Sequence, residues 1–225
     1  MHYSLENLLE HRNHGMRHNP FKALVAPRPI GWIGTVSKAG VLNLGPYSFF
    51  NAVSDSPPII MFSSADRKDS LNNVEETGEF TCSMSTEALV DAMNLSSAPV
   101  AANVDEFELA KLDTAPSLVV KPPRVAASPS ALECRLWKTL AMPRTDANQL
   151  EYVVVFGHVV AIYIDDAYVK DGIVDTGAMR PLARMGYMDY SVVRPDTVIT
   201  LSRPIVSADK QSASVQPGPW DGEYR

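Results

Sequence analysis

The chain is poor in cysteine. Its 225 residues hold two, Cys82 and Cys134, and neither lies in a CxxC pair. That spacing excludes a thioredoxin-type redox motif or a zinc knuckle, and two thiols make no disulfide framework. A reducing compartment, the cytoplasm, is expected. No GxGxxG loop joins a strand to a helix, so a Rossmann-type dinucleotide fold is not expected. Twenty Lys and Arg against 26 Asp and Glu leave a net charge of −6. The cations are scattered, without the basic stripe of a nucleic-acid binder. Long apolar runs are also missing. The longest, Tyr152 to Ile164, is interrupted by His158 and is too short to span a bilayer as a helix, so no membrane partner is expected. The polar lead-in, Met1 to Pro20, has no apolar core of the kind a signal peptide needs.

What is present reads as an ordinary globular protein, 45% hydrophobic and 20% charged. Three zones follow: a polar N-terminal segment, residues 1–20; a patterned body, 21–200; and a tail, 201–225, rich in Ser, Pro, Gly, Asp and Gln. Such a tail buries little surface and suits a mobile segment. Trp220 and Tyr224 within it suit docking on a partner subunit.

The body is strand-rich. Ile30–Ser37 and Val41–Phe50 flank the turn Lys38-Ala39-Gly40 and read as a hairpin. Ile59–Ser63 and Glu79–Ser83 are short strands. Leu132–Leu140 and Tyr152–Ile164 form a second hairpin around a polar stretch. Helices are fewer. Asp69 or Ser70 is expected to cap one over Leu71–Thr77 that stops at Gly78; others start at Thr86 and at Glu106. Many strands with a few short helices predict a mainly β fold, an antiparallel barrel with helical decorations.

Two stretches carry candidate chemistry. In NLGPYSFFNAVS (43–54), Gly45 and Pro46 permit close backbone approach; Ser48, Asn51 and Ser54 offer polar groups beside the flat surfaces of Phe49 and Phe50. An apolar slot with a few fixed polar groups suits the edge of a planar ring such as a flavin, although a plain hairpin strand has the same composition. In SSADRKDSLNNVEETG (63–78), Arg67, Lys68 and the Ser70 hydroxyl stand where a helix begins, and a helix start favours an anion such as phosphate. The alternative is an ordinary capped surface helix. His11, His14 and His18 share a spacing that fits one helix face, but without cysteine or an opposed acid they read as a solvated or docking segment rather than a metal site. His158 reads as a core histidine. Tyr187, Tyr190 and the neighbouring methionines read first as core or dimer surface and second as a cofactor wall.

Together with RPIGWIGTVS (28–37), FGHVVAIYIDD (156–166) and PLARMGYMDY (181–190), the blocks NLGPYSFFNAVSDSPP (43–58) and RKDSLNNVEETGEF (67–80) resemble, in order and spacing, the flavin reductase-like family. The resemblance implies an FMN-binding split β-barrel with a few short helices. It implies a homodimer with the flavin site at or near the subunit interface, and NADH or NADPH as co-substrate. The implied reaction is flavin reduction, with reduced flavin supplied to a flavin-dependent monooxygenase. A flavoprotein that keeps its FMN and serves another acceptor, or a non-catalytic FMN- or haem-binding module, stands as the alternative. The implied cofactor contacts are Pro46, Tyr47, Ser48, Phe49, Asn51, Ala52, Val53 and Ser54 at the isoalloxazine edge, with Trp32 near the ring. Ser63, Arg67, Lys68 and Ser70 are implied at the phosphate, and Arg184 at the flavin or the dimer neighbour. The chain has one glycine, Gly186, followed by Tyr187, where the family often has two glycines. It has Ser70 where threonine is usual. No side chain is implied to act as acid or base, since the hydride chemistry belongs to the cofactors.

Overall fold

A computed structural model describes residues 1–225 except Glu6, Leu8, Ala147, Asn148, Pro217, Pro219, Asp221, Glu223, Tyr224 and Arg225. Tyr224, expected as a docking residue, lies outside the described residues.

Ten strands and three helices position the site. Arg28–Pro29 (β1) is a short strand, followed by Gly31–Val36 (β2), Leu42–Tyr47 (β3), Phe50–Asp55 (β4) and Pro58–Ala65 (β5). Then come helix Asp69–Thr77 (α1), strand Glu79–Met84 (β6), helix Val90–Leu95 (α2) and the short helix Glu106–Leu109 (α3). Two long strands, Ser130–Ala141 (β7) and Tyr152–Ile164 (β8), complete an antiparallel sheet of order β3-β2-β6-β7-β8-β5-β4. The sheet curls until Tyr47 on β3 meets Phe62 on β5, ring centroids 4.8 Å apart. The mainly β split barrel expected from the pattern is the observed architecture. A separate small sheet pairs β1 with Leu182–Arg184 (β9), which pairs with Tyr190–Val192 (β10).

Strand β2, GWIGTV, explains how the barrel and its decorations are joined. Alternation sends Ile33 into the barrel and Trp32 to the opposite side. Inside the barrel Ile33 packs with Phe62, Phe80, Leu71, Val74 and Val155. On the other side Trp32 joins Leu44, Met93, Phe107 and Leu182 beneath α2 and α3. With apolar cover on both faces, β2 reads as a continuous run rather than as an amphipathic strand. A side chain at Gly157 of β8 is impossible without movement, since a Cβ there would lie 2.2 Å from the Phe80 ring.

Several expected elements shift. Strand β8 has the limits read from its apolar pattern, but His158 is exposed, not core. Alternation puts it on the outer face with Val154 and Phe156, while Val153, Val155 and Val159 fill the barrel. Helix α1 begins at Asp69, with Lys68 in the N-cap position and no side-chain cap. Gly78 closes it in the left-handed conformation, φ 76°. No described helix is long and apolar enough to cross a membrane. Both thiols are buried and desolvation pushes them up, Cys82 to about 12, so neither is a ready thiolate.

Phe62, fully buried and in edge contact with Phe80 at 5.5 Å, holds the closure of the barrel. Phe62→Ala is expected to lower unfolding free energy by about 3–5 kcal/mol, measured by urea denaturation.

Candidate functional site

A cleft opens where the end of β3 meets the start of α1. Its floor is Asn43, Leu44, Gly45, Pro46 and Tyr47; one wall is Arg67, Lys68, Asp69 and Ser70, the other the loop of Ser97–Val100 after α2; its volume is about 280 Å³. Past Pro46 and Ser97 the cleft continues into a smaller chamber of about 140 Å³. Ile30, Met93 and Met188 give that chamber apolar walls, and Ser48, Asn94, Arg184 and Tyr190 give it polar groups.

The cleft wall is held by a buried polar network centred on Asn43. Its Oδ1 accepts from Ser70 Oγ at 2.7 Å and from Thr35 Oγ1 at 3.2 Å; its Nδ2 donates to Glu106 Oε2 at 3.0 Å. The same carboxylate oxygen accepts from Leu44 N–H at 3.1 Å, and Thr35 Oγ1 accepts from Asn73 Nδ2 at 3.0 Å. One amide therefore ties β2, β3, α1 and α3 together. Burial pushes the Glu106 carboxyl up, opposed by its hydrogen bonds to Leu44 and Asn43. Burial also raises the Tyr47 phenol, against hydrogen bonding to Ser70 and Ser64. Gly45 serves the same junction: a Cβ there would sit 3.4 Å from Ser70 Oγ and from the Tyr47 ring.

The charges at the helix end are unequal in availability. Arg67 is bound to Glu75 at 2.6 Å. Among the described residues Lys68 has no ion-pair partner; its Nζ stands 6.0 Å from the Tyr47 ring centroid. The first turn of α1 has no side-chain cap, so its leading N–H groups remain available to an anion. Asp69 and Glu106 also line the cleft and oppose that anion.

Of the residues expected at a cofactor, the structure brings Pro46, Tyr47, Ser48, Arg67, Lys68, Ser70 and Arg184 to the two chambers. Ser70 is 3% exposed and its hydroxyl is spent on Asn43, so it acts as a bracket. Trp32 is in the core with no exposure; its indole N–H donates to Ser96 Oγ at 2.9 Å, which corrects its expected place near a ring. The reason is the double cover of β2. Phe49 packs against Tyr152, at 6.1 Å, under the cations of Lys22 and Arg28. Ser63 faces away from the barrel interior, its N–H bonded to the Phe49 carbonyl at 2.8 Å. Asn51, Ala52, Val53 and Ser54 lie along the exposed edge strand β4, outside the cleft of a single chain. Missed by sequence reasoning were Asn43, which stood inside the quoted block, and Ser97, Asn94 and Glu106, which carried no signal. Tyr190 and Met188, which the sequence suits first to core or dimer surface, line the smaller chamber.

Comparison with known proteins places this geometry in a family. The model of the flavin reductase like domain matches residues 24–183. A protein of Aquifex aeolicus is 37% identical over 173 residues, 74% of this chain and 85% of that protein. Nitrilotriacetate monooxygenase component B from Bacillus cereus superimposes with a TM-score of 0.77 at 29% identity, covering 85% of this chain and 95% of that one. The 2-nitrobenzoate 2-nitroreductase NbaA of Pseudomonas fluorescens gives 0.77 at 25% identity, over 92% and 100% of the two chains. With most of its length matched in sequence and its barrel in fold, this chain belongs to the flavin reductase-like family of flavin-binding split barrels.

Proposed function

We propose that the chain is a cytoplasmic NAD(P)H-dependent FMN reductase. The observation that carries this reading is the uncapped start of α1, with Lys68 beside it, at one end of a cleft whose other end is an apolar chamber with polar groups. Phosphate suits the first end and a flat heteroaromatic ring the second. The residues fit FMN in kind. Lys68 and the helix amides hold a phosphate; Pro46, Ile30, Met93 and Met188 flank a ring; Ser48 and Asn94 offer hydrogen bonds to its rim. Bound FMN supplies the electron-accepting chemistry. The protein's part is to orient the ring, exclude water from one face and leave the other for a nicotinamide. In this reading a partner monooxygenase would be the recipient of the reduced flavin.

The site is completed, in this reading, by a second copy of the chain. Asn51, Met61 and Phe156 form one row across β4, β5 and β8, and the Trp137 ring meets Phe156 edge-on at 5.9 Å. Trp137 is 62% and Val53 52% exposed. An apolar face continuous with the expected flavin contacts of β4 is suited to a homodimer that brings Asn51 to Ser54 to the flavin.

Three outcomes are expected. Anaerobic addition of NADH or NADPH to protein with FMN bleaches the flavin's visible absorbance, and turnover rises with added FMN. A protein that keeps its FMN and ignores both nicotinamides is instead an electron carrier for another acceptor. Lys68→Ala weakens FMN by about tenfold or more, the value of one charge-assisted hydrogen bond, and leaves riboflavin affinity unchanged in fluorescence titration. Trp137→Arg raises the dimer dissociation constant by at least about thirtyfold, as for an interface anchor, read by sedimentation velocity, with FMN affinity falling alongside.

A further inference from the structure

The small sheet carries three side chains in one row: Arg28 on β1, Arg184 on β9 and Tyr190 on β10. Arg184 stacks over the Tyr190 ring, 4.5 Å from its centroid, and donates to the Tyr190 hydroxyl and the Tyr187 carbonyl. Arg28 is 6% exposed; it donates to the carbonyls of Lys22 and Val25, and to that of Met185 at 2.9 Å. Its Nε is buried without a hydrogen-bond partner. Among the described residues no carboxylate lies within 4.0 Å of either guanidinium.

Like charges directly opposite on paired strands repel, and a buried cation without a counter-ion loses its hydration unrepaid. Burial and the nearby Arg184 both hold the Arg28 guanidinium below its usual range. Among the described residues this doubled positive charge therefore has no carboxylate partner, and Arg184 and Tyr190 are walls of the smaller chamber. The Tyr190 hydroxyl accepts from Arg184, which leaves its proton free to donate. A planar guanidinium beside a phenol donor matches a flat, delocalised anion that presents adjacent acceptor atoms.

We propose that Arg184 and Tyr190, backed by Arg28, form an anion site for the N1–C2=O edge of reduced flavin, so that the protein selects reduced over oxidised FMN. This rests on the reading that a flavin ring occupies the smaller chamber. The electron balance fits. Hydride from a nicotinamide adds at N5, the nicotinamide leaves oxidised, and the displaced electron pair spreads onto N1–C2=O as negative charge. Preorganised cations stabilise that charge where it forms, and no proton need reach N1.

The test measures dissociation constants of oxidised FMN, aerobically, and of reduced FMN, anaerobically, for the full chain and three variants. Arg184→Gln is expected to weaken reduced FMN at least about tenfold more than oxidised FMN, a shift of the bound flavin's two-electron potential by about 30 mV to the negative side. Arg184→Lys retains most of the selectivity. Tyr190→Phe loses about threefold of it without loss of charge, and covers the case of an Arg184→Gln chain that does not fold. Equal weakening of both redox states across the variants sinks the inference while leaving FMN binding intact. Absence of FMN binding in either state by the unaltered chain removes the parent reading as well.

Discussion

The whole cleft depends on the Asn43 side chain. A single buried amide uses both of its ends, accepting from Ser70 and Thr35 and donating to Glu106. Through those bonds it fixes the start of α1 against β3. A polar group buried this deeply is costly unless its bonds are made, and a network whose members satisfy one another admits few alternative arrangements. The helix end is thereby held beside Gly45 and Tyr47, with its amides and Lys68 on the cleft side. The arrangement also accounts for an oddity of composition: two acids, Asp69 and Glu106, stand in a cleft read as receiving a phosphate. Glu106 is there because Asn43 and Leu44 need an acceptor. Burial raises its pKa, against the hydrogen bonds it accepts from Leu44 and Asn43.

Charge divides the site into two ends with different logic. At the α1 end the positive elements are a flexible lysine and backbone amides, which suit a terminal phosphate as point charges. At the far end they are guanidiniums held in register on a three-stranded sheet, Arg184 also stacked on an aromatic ring. The first arrangement suits a phosphate; the second is directional and suits a planar anion. Between them the apolar walls of Ile30, Met93 and Met188 make no electrostatic distinction, as a planar ring requires.

Much of this is legible in the sequence. The apolar run Tyr152–Ile164, bounded by polar residues, marks the strand to the residue; the alternation of its burial is seen only in the fold. The blocks around Gly45 and Lys68 do meet in a cleft. What escaped is what depends on distant partners. Ser70 looked like a cap or a phosphate ligand, since a hydroxyl at a helix start usually is one; a buried asparagine from another strand claims it instead. Arg67 looked available until Glu75, two helical turns on, took it. The resemblance alone places Trp32 near a ring, whereas the continuous apolar run of β2 already fits a strand covered on both faces. His158 shows the reverse error: in a run of valines a histidine reads as buried, yet alternation alone turns it outward.

The free edge of β4 has a consequence of another kind. A strand with one side unpaired offers its backbone to any extended segment that passes, native or misfolded. Between Ala52 and Ser54 the pairing with β5 slips by a residue, and the strand then runs to Asp55 and the Pro57-Pro58 corner. A bulge and a proline stop break the straight template that stacking requires. The irregularity at Val53 thus also blunts the edge as a template for self-templated fibres while a newly made chain is still folding.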